Sequence, residues 1–325
     1  MRVVITGAAG FIGSRLSELV VENAERLGYN DVVLLDALTY SGRLENLDEV
    51  RQDSRVTFVK GNITDPLVTE EVLRGANAVL HLAAESHVDR SITGARLFFE
   101  TNVMGTQQLL ESARDAGVER FVHVSTDEVY GSIDDGTWRE DHILEPNSPY
   151  SASKAGSDLA ALAYHRTFGM NVMVTRCSNN YGPRQFPEKL IPLFVTNLFD
   201  GIKVPLYGDG ENVRDWLFVD DHCRGVLRVL AGGRAGEIYN IGGGRELSNI
   251  EITRMLLDLC GADESMIEPV ADRLGHDRRY SVDWTKLHDE LGYQPETYFE
   301  EGLARTVKWY RDNESWWRPL KGQTS

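Results

Sequence analysis

Two groups of residues in this chain could carry chemistry on an alcohol. The first is the pair Tyr150 and Lys154, which lie four positions apart and therefore face the same side of a helix. A nearby ammonium, together with the positive charge of an oxidised nicotinamide, would stabilise the phenolate of Tyr150 and lower its pKa from about 10. Tyr150 could then take a proton from an alcohol as a hydride leaves its carbon, and Thr126 could hydrogen-bond the same oxygen.

The second group is the adjacent pair Asp127 and Glu128, which follows Thr126 directly. Next to a ketone formed by such a hydride transfer, a carboxylate can remove an acidified hydrogen while a carboxylic acid protonates a departing hydroxyl. The two acids must then differ in pKa, because only one of them holds a proton near neutral pH. Neighbours on a regular strand point to opposite faces, so both reach one substrate only if the strand ends at Thr126.

A glycine-rich turn near the start of the chain indicates where a dinucleotide would bind. Gly7, Gly10 and Gly13 lie between an apolar strand and a periodic helix, where small residues let the backbone approach a pyrophosphate at the helix N-terminus. Asp36 ends the second strand and would accept hydrogen bonds from the adenosine ribose. A 2′-phosphate there would meet like charge, so the sequence favours NAD over NADP.

Composition narrows the class of protein. The net charge of −16, from 34 basic and 50 acidic residues, argues against a nucleic-acid partner, which would need clustered Lys and Arg. Cys177, Cys223 and Cys260 are scattered, so neither a disulfide scaffold nor a metal site is expected. No apolar stretch approaches the roughly 18 residues of a membrane span. We expect a soluble, cytoplasmic protein without a signal peptide, since the chain opens directly on a strand.

The elements that must position these residues alternate in the first half of the chain between short apolar strands and amphipathic helices. This pattern predicts an α/β fold with a Rossmann-type, doubly wound and mainly parallel sheet. The predicted strands are 2–6, 31–36, 56–60, 78–83, 120–125 and 171–176, with long helices over 93–116 and from Pro149. After Arg176, glycine-rich turns separate shorter elements. We predict an NAD-binding domain over 1–177, rejoined by 215–232, and a smaller substrate-binding domain over 178–325.

Taken together, these motifs resemble the extended short-chain dehydrogenase/reductase family, whose members act mostly on nucleotide sugars. The similarity covers essentially the whole chain. It is carried by the GxxGxxG turn, Ser125-Thr126 and Tyr150xxxLys154. Within the family, Thr126-Asp127-Glu128 is similar to the dTDP-glucose 4,6-dehydratases, as are the segments 84–89, 187–192 and 273–280. This resemblance implies a lyase for deoxysugar biosynthesis in which Glu128 is the base, Asp127 the acid, and NAD is regenerated in every turnover.

The resemblance also implies individual contacts. Those to the cofactor, besides Gly7, Gly10, Gly13 and Asp36, are Phe11, Ile12, Thr39, Asn62, Ile63, Thr101, Tyr150, Lys154 and Asn180. Those to the substrate are Ser86, Thr126, Asn179, Lys189, Leu190, Pro205, Leu206, Tyr207, Asn249 and His276. Arg214 and Arg273 are candidates for the diphosphate, because Arg makes bidentate contacts with phosphate oxygens. Asn62 stands where relatives usually carry Asp, and its amide oxygen could still accept from adenine.

Alternatives stay open at this point. A UDP- or GDP-sugar 4,6-dehydratase or a 4-epimerase would share most of these motifs, and thymine differs from uracil by one methyl group, worth about 0.8 kcal/mol of burial. An NAD-binding regulatory protein with relic catalytic residues is a further possibility, against which the intact Thr126, Tyr150 and Lys154 argue. The resemblance implies a homodimer formed through long helices, including the one that carries Tyr150.

Overall fold

The computed structural model describes residues 1–272 and 275–321, and parallel strands form its centre. The strands are β1 (Arg2–Thr6), β2 (Asp31–Asp36), β3 (Val56–Lys60), β4 (Ala78–His81), β5 (Arg120–Thr126), β6 (Val172–Cys177), β7 (Asn179–Tyr181), β8 (Val204–Tyr207), β9 (Val213–Phe218), β10 (Ile238–Ile241), β11 (Glu246–Ser248) and β12 (Ile267–Val270). Seven of them pair in the order β10-β6-β5-β4-β1-β2-β3, each pair parallel. The predicted Rossmann-type fold is confirmed.

Helices cover both faces of this sheet, and several of those after β7 pack instead against the strands of the smaller sheets. They are α1 (Phe11–Glu22), α2 (Ala24–Leu27), α3 (Pro66–Leu73), α4 (Val88–Thr93), α5 (Ala95–Phe98), α6 (Thr106–Asp115), α7 (Pro149–Phe168), α8 (Leu190–Phe199), α9 (Val219–Gly232), α10 (Asn249–Cys260), α11 (Thr285–Leu291), α12 (Phe299–Asp312) and α13 (Glu314–Lys321). Short 3₁₀ turns occupy Leu44–Leu47, Val50–Gln52, Asp127–Tyr130 and Glu264–Met266, and a π-helical segment, Phe99–Gly105, joins α5 to α6.

The period-two pattern of the strands explains how one sheet supports two cores. Val3 and Ile5 pack into the hydrophobic core on one face, while Val4 between them belongs to the core on the other face. All three side chains are fully buried. A strand that is apolar at every position is therefore typical of a parallel sheet covered on both sides.

The long helix predicted over 93–116 begins later than expected. Gly94 has φ −144° and ψ 52°, which are not helical values, so α4 ends before it and a new helix starts at Ala95. From there the helical stretch runs to Asp115 through the π-helical segment. Such segments are frequent at functional sites, and this one carries Thr101.

The second half of the chain adds two small sheets and then returns to the large one. β7, β9 and β11 form one small sheet and β8 pairs with β12. α9 lies against α1, where the Nε atom of Arg15 donates to Asp220 at 2.8 Å. β10 then extends the central sheet beside β6. The division of the chain after residue 177 into two domains stays a prediction.

Within residues 1–272 and 275–321, no helix has both the length and the hydropathy that crossing a membrane requires. Cys177 and Cys223 are buried free thiols, and Cys260 is a half-buried one. In the same part of the chain, no three His, Cys, Asp or Glu side chains gather as a metal site would need.

Candidate active site

A cleft of about 730 Å³ runs along the carboxyl ends of the central strands. It is lined by residues that follow β1, β2, β4, β5 and β6. The strand order reverses between β1 and β4, since β2 and β3 lie on one side of β1 and β4, β5 and β6 on the other. Ligands of open α/β sheets bind at such a switch point, so this cleft is the candidate active site.

The cleft brings together residues that are far apart in the sequence. Every cofactor contact and every catalytic residue implied above lines it, as do four of the implied substrate contacts, Thr126 among them. These lining residues are Gly7, Gly10, Phe11, Ile12, Gly13, Asp36, Thr39, Asn62, Ile63, Ser86, Thr101, Thr126, Asp127, Glu128, Tyr150, Lys154, Asn179, Asn180 and Lys189.

The remaining implied substrate contacts do not line this cleft. They are Leu190, Pro205, Leu206, Tyr207, Arg214, Asn249 and His276, and Arg273 lies outside the described residues. Tyr207 and His276 are neighbours, with ring centroids 6.3 Å apart. Arg214 is buried, and its guanidinium stacks on Tyr280 and donates to the Asp277 carbonyl at 2.8 Å. Its role as a diphosphate ligand stays a prediction.

Asp36, at the end of β2, holds the backbone of the glycine turn. Asp36 accepts hydrogen bonds from the backbone N–H of Ala9 at 2.8 Å and of Leu38 at 2.7 Å. Burial raises the pKa of Asp36, and the two N–H donors act in the opposite direction. Gly7 has φ +70°, and a Cβ atom there would lie only 2.7 Å from the Ala83 nitrogen, so no other residue fits. The carboxylate and the turn thus form one preassembled unit.

The acidic pair occupies a turn rather than a strand. β5 ends at Thr126, and Asp127 begins the 3₁₀ turn Asp127–Tyr130. The Oγ1 atom of Thr126 accepts from the Glu128 N–H at 3.3 Å and so caps this turn. Because the pleat has ended, both Asp127 and Glu128 line the same cleft.

Asp127 has the environment of a proton donor. Its side chain is 2% exposed, and its Oδ2 atom has no hydrogen-bond partner among the described residues. Burial, then the charges of Glu128 and Asp215, raise the pKa of Asp127 well above its usual range, while Arg214 and the Thr126 hydroxyl act in the opposite direction. The carboxyl therefore keeps its proton at pH values where an exposed Asp is ionised.

α7 places Tyr150 and Lys154. Ser148 and Ser151 form a capping box at its start, and Pro149 occupies its first turn. The ammonium of Lys154 is buried and donates to the Val124 carbonyl at 2.9 Å, which ties the helix to the end of β5. This anchor fixes Tyr150, one turn earlier, beside Thr126.

The expected lowering of the pKa of Tyr150 is not produced by the protein alone. Burial, followed by the charge of Glu128, raises the pKa of the phenol, and the hydrogen bond with Thr126 acts in the other direction. Burial also lowers the pKa of Lys154. Desolvation is the largest cause of the pKa shift in both groups, so a phenolate here needs a further positive charge.

Polar atoms without partners indicate that the cleft is built for a polar ligand. Asn179 and Asn180 line the cleft, and their buried Oδ1 atoms have no hydrogen-bond partner among the described residues. Buried polar atoms are normally satisfied. The Oδ1 atom of Asn62 differs, because it accepts from the Thr64 N–H at 3.0 Å.

Sequence reasoning missed a charged group in the lining of the cleft. Glu188 accepts from the Tyr40 hydroxyl at 3.0 Å and from the Arg90 Nε atom at 3.2 Å, and the Arg90 guanidinium lies 3.9 Å from the Tyr40 ring centroid. Buried Glu85 lies nearby, and its pKa is raised by burial and by Glu188. Glu85 and Glu188 stand inside the segments 84–89 and 187–192 that carried the resemblance, so those segments held the signal.

Comparison with known proteins agrees with this geometry. A family model described as GDP-mannose 4,6 dehydratase matches residues 4–306. A dTDP-glucose 4,6-dehydratase of Streptomyces antibioticus is 59% identical over 324 residues, which cover 99% of this chain and 96% of that protein.

Solved structures give the same picture. DesIV, a dTDP-glucose 4,6-dehydratase of Streptomyces venezuelae crystallised with NAD and TYD bound, is 62% identical with a TM-score of 0.97, over 98% of this chain and 100% of its own. A UDP-glucose 4-epimerase of Thermus thermophilus, complexed with NAD, is more distant at 32% identity and a TM-score of 0.87, over 96% and 100% of the two chains.

Proposed function

Because this chain belongs to the GDP-mannose 4,6-dehydratase family, and within it to the dTDP-glucose 4,6-dehydratases, we propose that it removes water from dTDP-glucose. The product is the 4-keto-6-deoxy sugar, an intermediate for deoxysugars, and the enzyme is an NAD-dependent hydro-lyase. The observation that carries this proposal is the 3₁₀ turn after Thr126, in which Asp127 and Glu128 share one cleft with Tyr150.

NAD fits the cleft. The glycine turn offers backbone N–H groups at the start of α1, Asp36 offers carboxylate oxygens for the ribose, and Asn180 offers a buried acceptor without a partner among the described residues. NAD, when bound, takes the hydride from C4 of the sugar, later returns it to C6, and supplies the positive charge that lowers the pKa of Tyr150.

Tyr150 accepts the proton of the C4 hydroxyl in the first step, and Thr126 holds the same oxygen. The anchored ammonium of Lys154 keeps the phenol in place. The proposal is supported by the hydrogen bond between Tyr150 and Thr126 and by the position of both residues in the cleft.

Water elimination then uses the two acids. Glu128 removes the hydrogen from C5, and Asp127 gives its proton to the C6 hydroxyl, which leaves as water. This division of roles is supported by burial, which keeps Asp127 protonated. A pair of carboxyl groups with separated pKa values is the general arrangement for acid–base work near neutral pH.

Lys189 is proposed to contribute positive charge at the substrate end of the cleft. Its Nζ atom donates to the Ser86 carbonyl at 2.9 Å, so it is held beside a second implied substrate contact. Tyr207, Asn249, His276 and Arg214 are proposed to receive the more distant nucleotide part, consistent with their position outside the cleft that holds the reacting groups.

The test is incubation of the purified protein with dTDP-glucose. We expect a 4-keto-6-deoxy sugar with no net release of NADH, because the cofactor is regenerated in each turnover. Accumulation of NADH in step with product would reject the cycle. Competition between dTDP-, UDP- and GDP-glucose at equal concentration identifies the preferred nucleobase. We expect dTDP-glucose to be consumed fastest.

A 4-epimerase needs no acid–base pair beside the hydride-transfer residues. The adjacent Asp127 and Glu128, both lining the cleft, therefore favour the dehydratase. A regulatory protein with relic residues would turn over none of the three nucleotide sugars.

We also propose a homodimer formed by α7 and the helical stretch 95–115. Met104 and Leu159 are large apolar side chains exposed on these two elements, which pack closely where Gly156 meets Val103. A location in the cytoplasm is supported by the three cysteines, which carry no disulfide.

A further inference from the structure

Asn46 connects the glycine turn, α13 and the loop after β7, and it has no role in the proposed reaction itself. It lies in the 3₁₀ turn Leu44–Leu47, is 4% exposed, and does not line the cleft. Its Nδ2 atom donates to the Ala9 carbonyl at 2.9 Å, and its Oδ1 atom accepts from the indole N–H of Trp316 at 2.9 Å. The amide thus joins the glycine turn to α13 near the end of the chain.

The contact with Ala9 helps to hold a carbonyl of the glycine turn at a residue that does not line the cleft. The Ala9 carbonyl also accepts from the Arg43 N–H at 3.0 Å, and the Ala9 N–H donates to Asp36 at 2.8 Å. Both polar groups of this residue are therefore held by partners outside the turn. A carbonyl turned toward the cleft would bring an acceptor oxygen against phosphate oxygens, so holding it away favours binding of a pyrophosphate.

The main chain of Asn46 is held as well. Its carbonyl accepts from Arg184 at 3.3 Å, and the same guanidinium pairs with Glu18 on α1. Arg184 has φ +67°, a left-handed conformation that is uncommon for a residue with a Cβ atom. It follows Asn180 by four positions, so the turn, α1 and the loop after β7 meet at Asn46.

α13 is also held by contacts of its two tryptophans, Trp316 and Trp317, with α12. Trp317 is fully buried and its indole N–H donates to the Tyr310 carbonyl at 2.7 Å. Trp316 packs edge-on against Trp309 with ring centroids 5.0 Å apart. Because α13 docks as a unit through these indoles, the orientation of Asn46 depends on a helix about 270 residues away in sequence.

We propose that Asn46 is a positioning residue for NAD and that docking of α13 through Trp316 is energetically coupled to cofactor binding. The inference rests on the proposed NAD site at the glycine turn. Coupling between two sites is reciprocal, so a change that weakens docking of α13 weakens NAD binding, and NAD stabilises the docked helix.

The test uses the full-length chain with Trp316→Phe, which keeps an aromatic ring and removes the indole donor. We expect the dissociation constant for NAD, measured by equilibrium dialysis, to rise roughly three- to tenfold, the effect of one ordinary hydrogen bond. The matched control is Trp309→Phe in the same aromatic cluster, which leaves the bond to Asn46 in place. It should change NAD binding by less than about twofold.

The second measurement is amide hydrogen exchange of residues 314–321. In the unsubstituted protein, saturating NAD should slow this exchange, and in Trp316→Phe the slowing should disappear. A merely structural role for Trp316 would raise exchange equally with and without NAD. Unchanged NAD affinity in a folded Trp316→Phe protein, or NAD-dependent protection that survives the substitution, would overturn the proposal.

If Trp316→Phe does not fold, Asn46→Asp replaces it. That variant keeps an acceptor for Trp316 and removes the donor to Ala9, so NAD affinity should fall while α13 stays protected. Affinity equal to that of the unsubstituted protein would count against the proposal. Failure of the unsubstituted protein to bind NAD at all would instead reject the proposed cofactor site. That outcome is distinguishable from a failure of the coupling proposal, which concerns only the difference between variants.

Discussion

The hydroxyl of Thr126 donates a hydrogen bond to the carboxyl group of Asp127 at 3.3 Å. The same oxygen caps the turn in which Asp127 lies. Thr126 therefore has two functions: it ends β5 and it orients the residue that follows. The residue that stops the strand thus also sets the geometry of the proposed acid.

Replacing Glu128 with Gln removes the proposed base and keeps the size and shape of the side chain. Oxidation at C4 should continue, while loss of the C5 hydrogen should slow by about 10²- to 10⁴-fold, the usual contribution of a positioned base. Exchange of that hydrogen with deuterated water, followed by mass spectrometry, measures the step directly. A variant that dehydrates at the normal rate would show that Glu128 is not the base.

Replacing Asp127 with Asn removes the proposed acid but not the base. Exchange at C5 should persist while release of water slows. The protonated form of Asp127 is the active one, so dehydration by the unsubstituted enzyme should fall as pH rises through the raised pKa of this residue. The Asn variant should lack that alkaline decline. A decline of the same shape in both proteins would assign it to another group.

The same carboxyl makes stability depend on pH. Its pKa in the folded protein is raised by burial above the unfolded value, so its contribution to stability is complete below the unfolded pKa and is lost as pH rises through the folded one. Asp127→Asn should therefore be more stable than the unsubstituted protein in alkaline buffer, and the difference should shrink in acid. Urea denaturation at several pH values measures it. A difference independent of pH would contradict this prediction.

Replacing Tyr150 with Phe should stop the reaction at its first step. Bound NADH should form about 10²- to 10⁴-fold more slowly, because no group accepts the proton of the C4 hydroxyl. Absorbance in a single turnover measures it. Tyr130→Phe is the control, since Tyr130 is also buried but donates to Asn240 at 2.9 Å and does not line the cleft. Equal loss in both variants would point to a general effect of buried tyrosines.

A charge on the proposed dimer face should separate the subunits. Met104 and Leu159 are 59% and 56% exposed, and Leu67 on α3 is 76% exposed. Met104→Glu and Leu159→Glu should give monomers, because a buried unpaired charge disfavours association, whereas Leu67→Glu should not. Sedimentation velocity distinguishes the two outcomes. An unsubstituted protein that sediments as a monomer would reject the dimer.

The local motifs could be found without coordinates. The strand–glycine–helix start, Asp36 at the end of β2, and Tyr150 with Lys154 in the first turns of α7 all depend on contacts within a few residues. Strand bounds were within two residues for the same reason, since burial on both faces selects apolar runs. The helix predicted from about Thr93 begins two residues later, at Ala95, because the backbone of Gly94 is not helical.

The charge state of Tyr150 could not be found in this way. The raised pKa of Tyr150 results from burial and from Glu128 across the cleft, neither of which follows from the spacing of Tyr150 and Lys154. The bridge formed by Glu188 with Tyr40 and Arg90 joins three separate segments. Desolvation depends on everything packed around a group, and a short sequence motif does not determine which distant residues pack around it.

The sequence by itself determined the chemistry that this protein can perform, since residue types and their spacing along single strands and helices select a dinucleotide, a hydride-transfer pair and two acids. Only the tertiary structure decided that Asp127 and Glu128 face one cleft, that Asp127 is buried deeply enough to keep its proton, and that Asn46 links the glycine turn to α13. The reason is physical: side-chain type is a local property, whereas burial, electric field and distance are set by the whole fold.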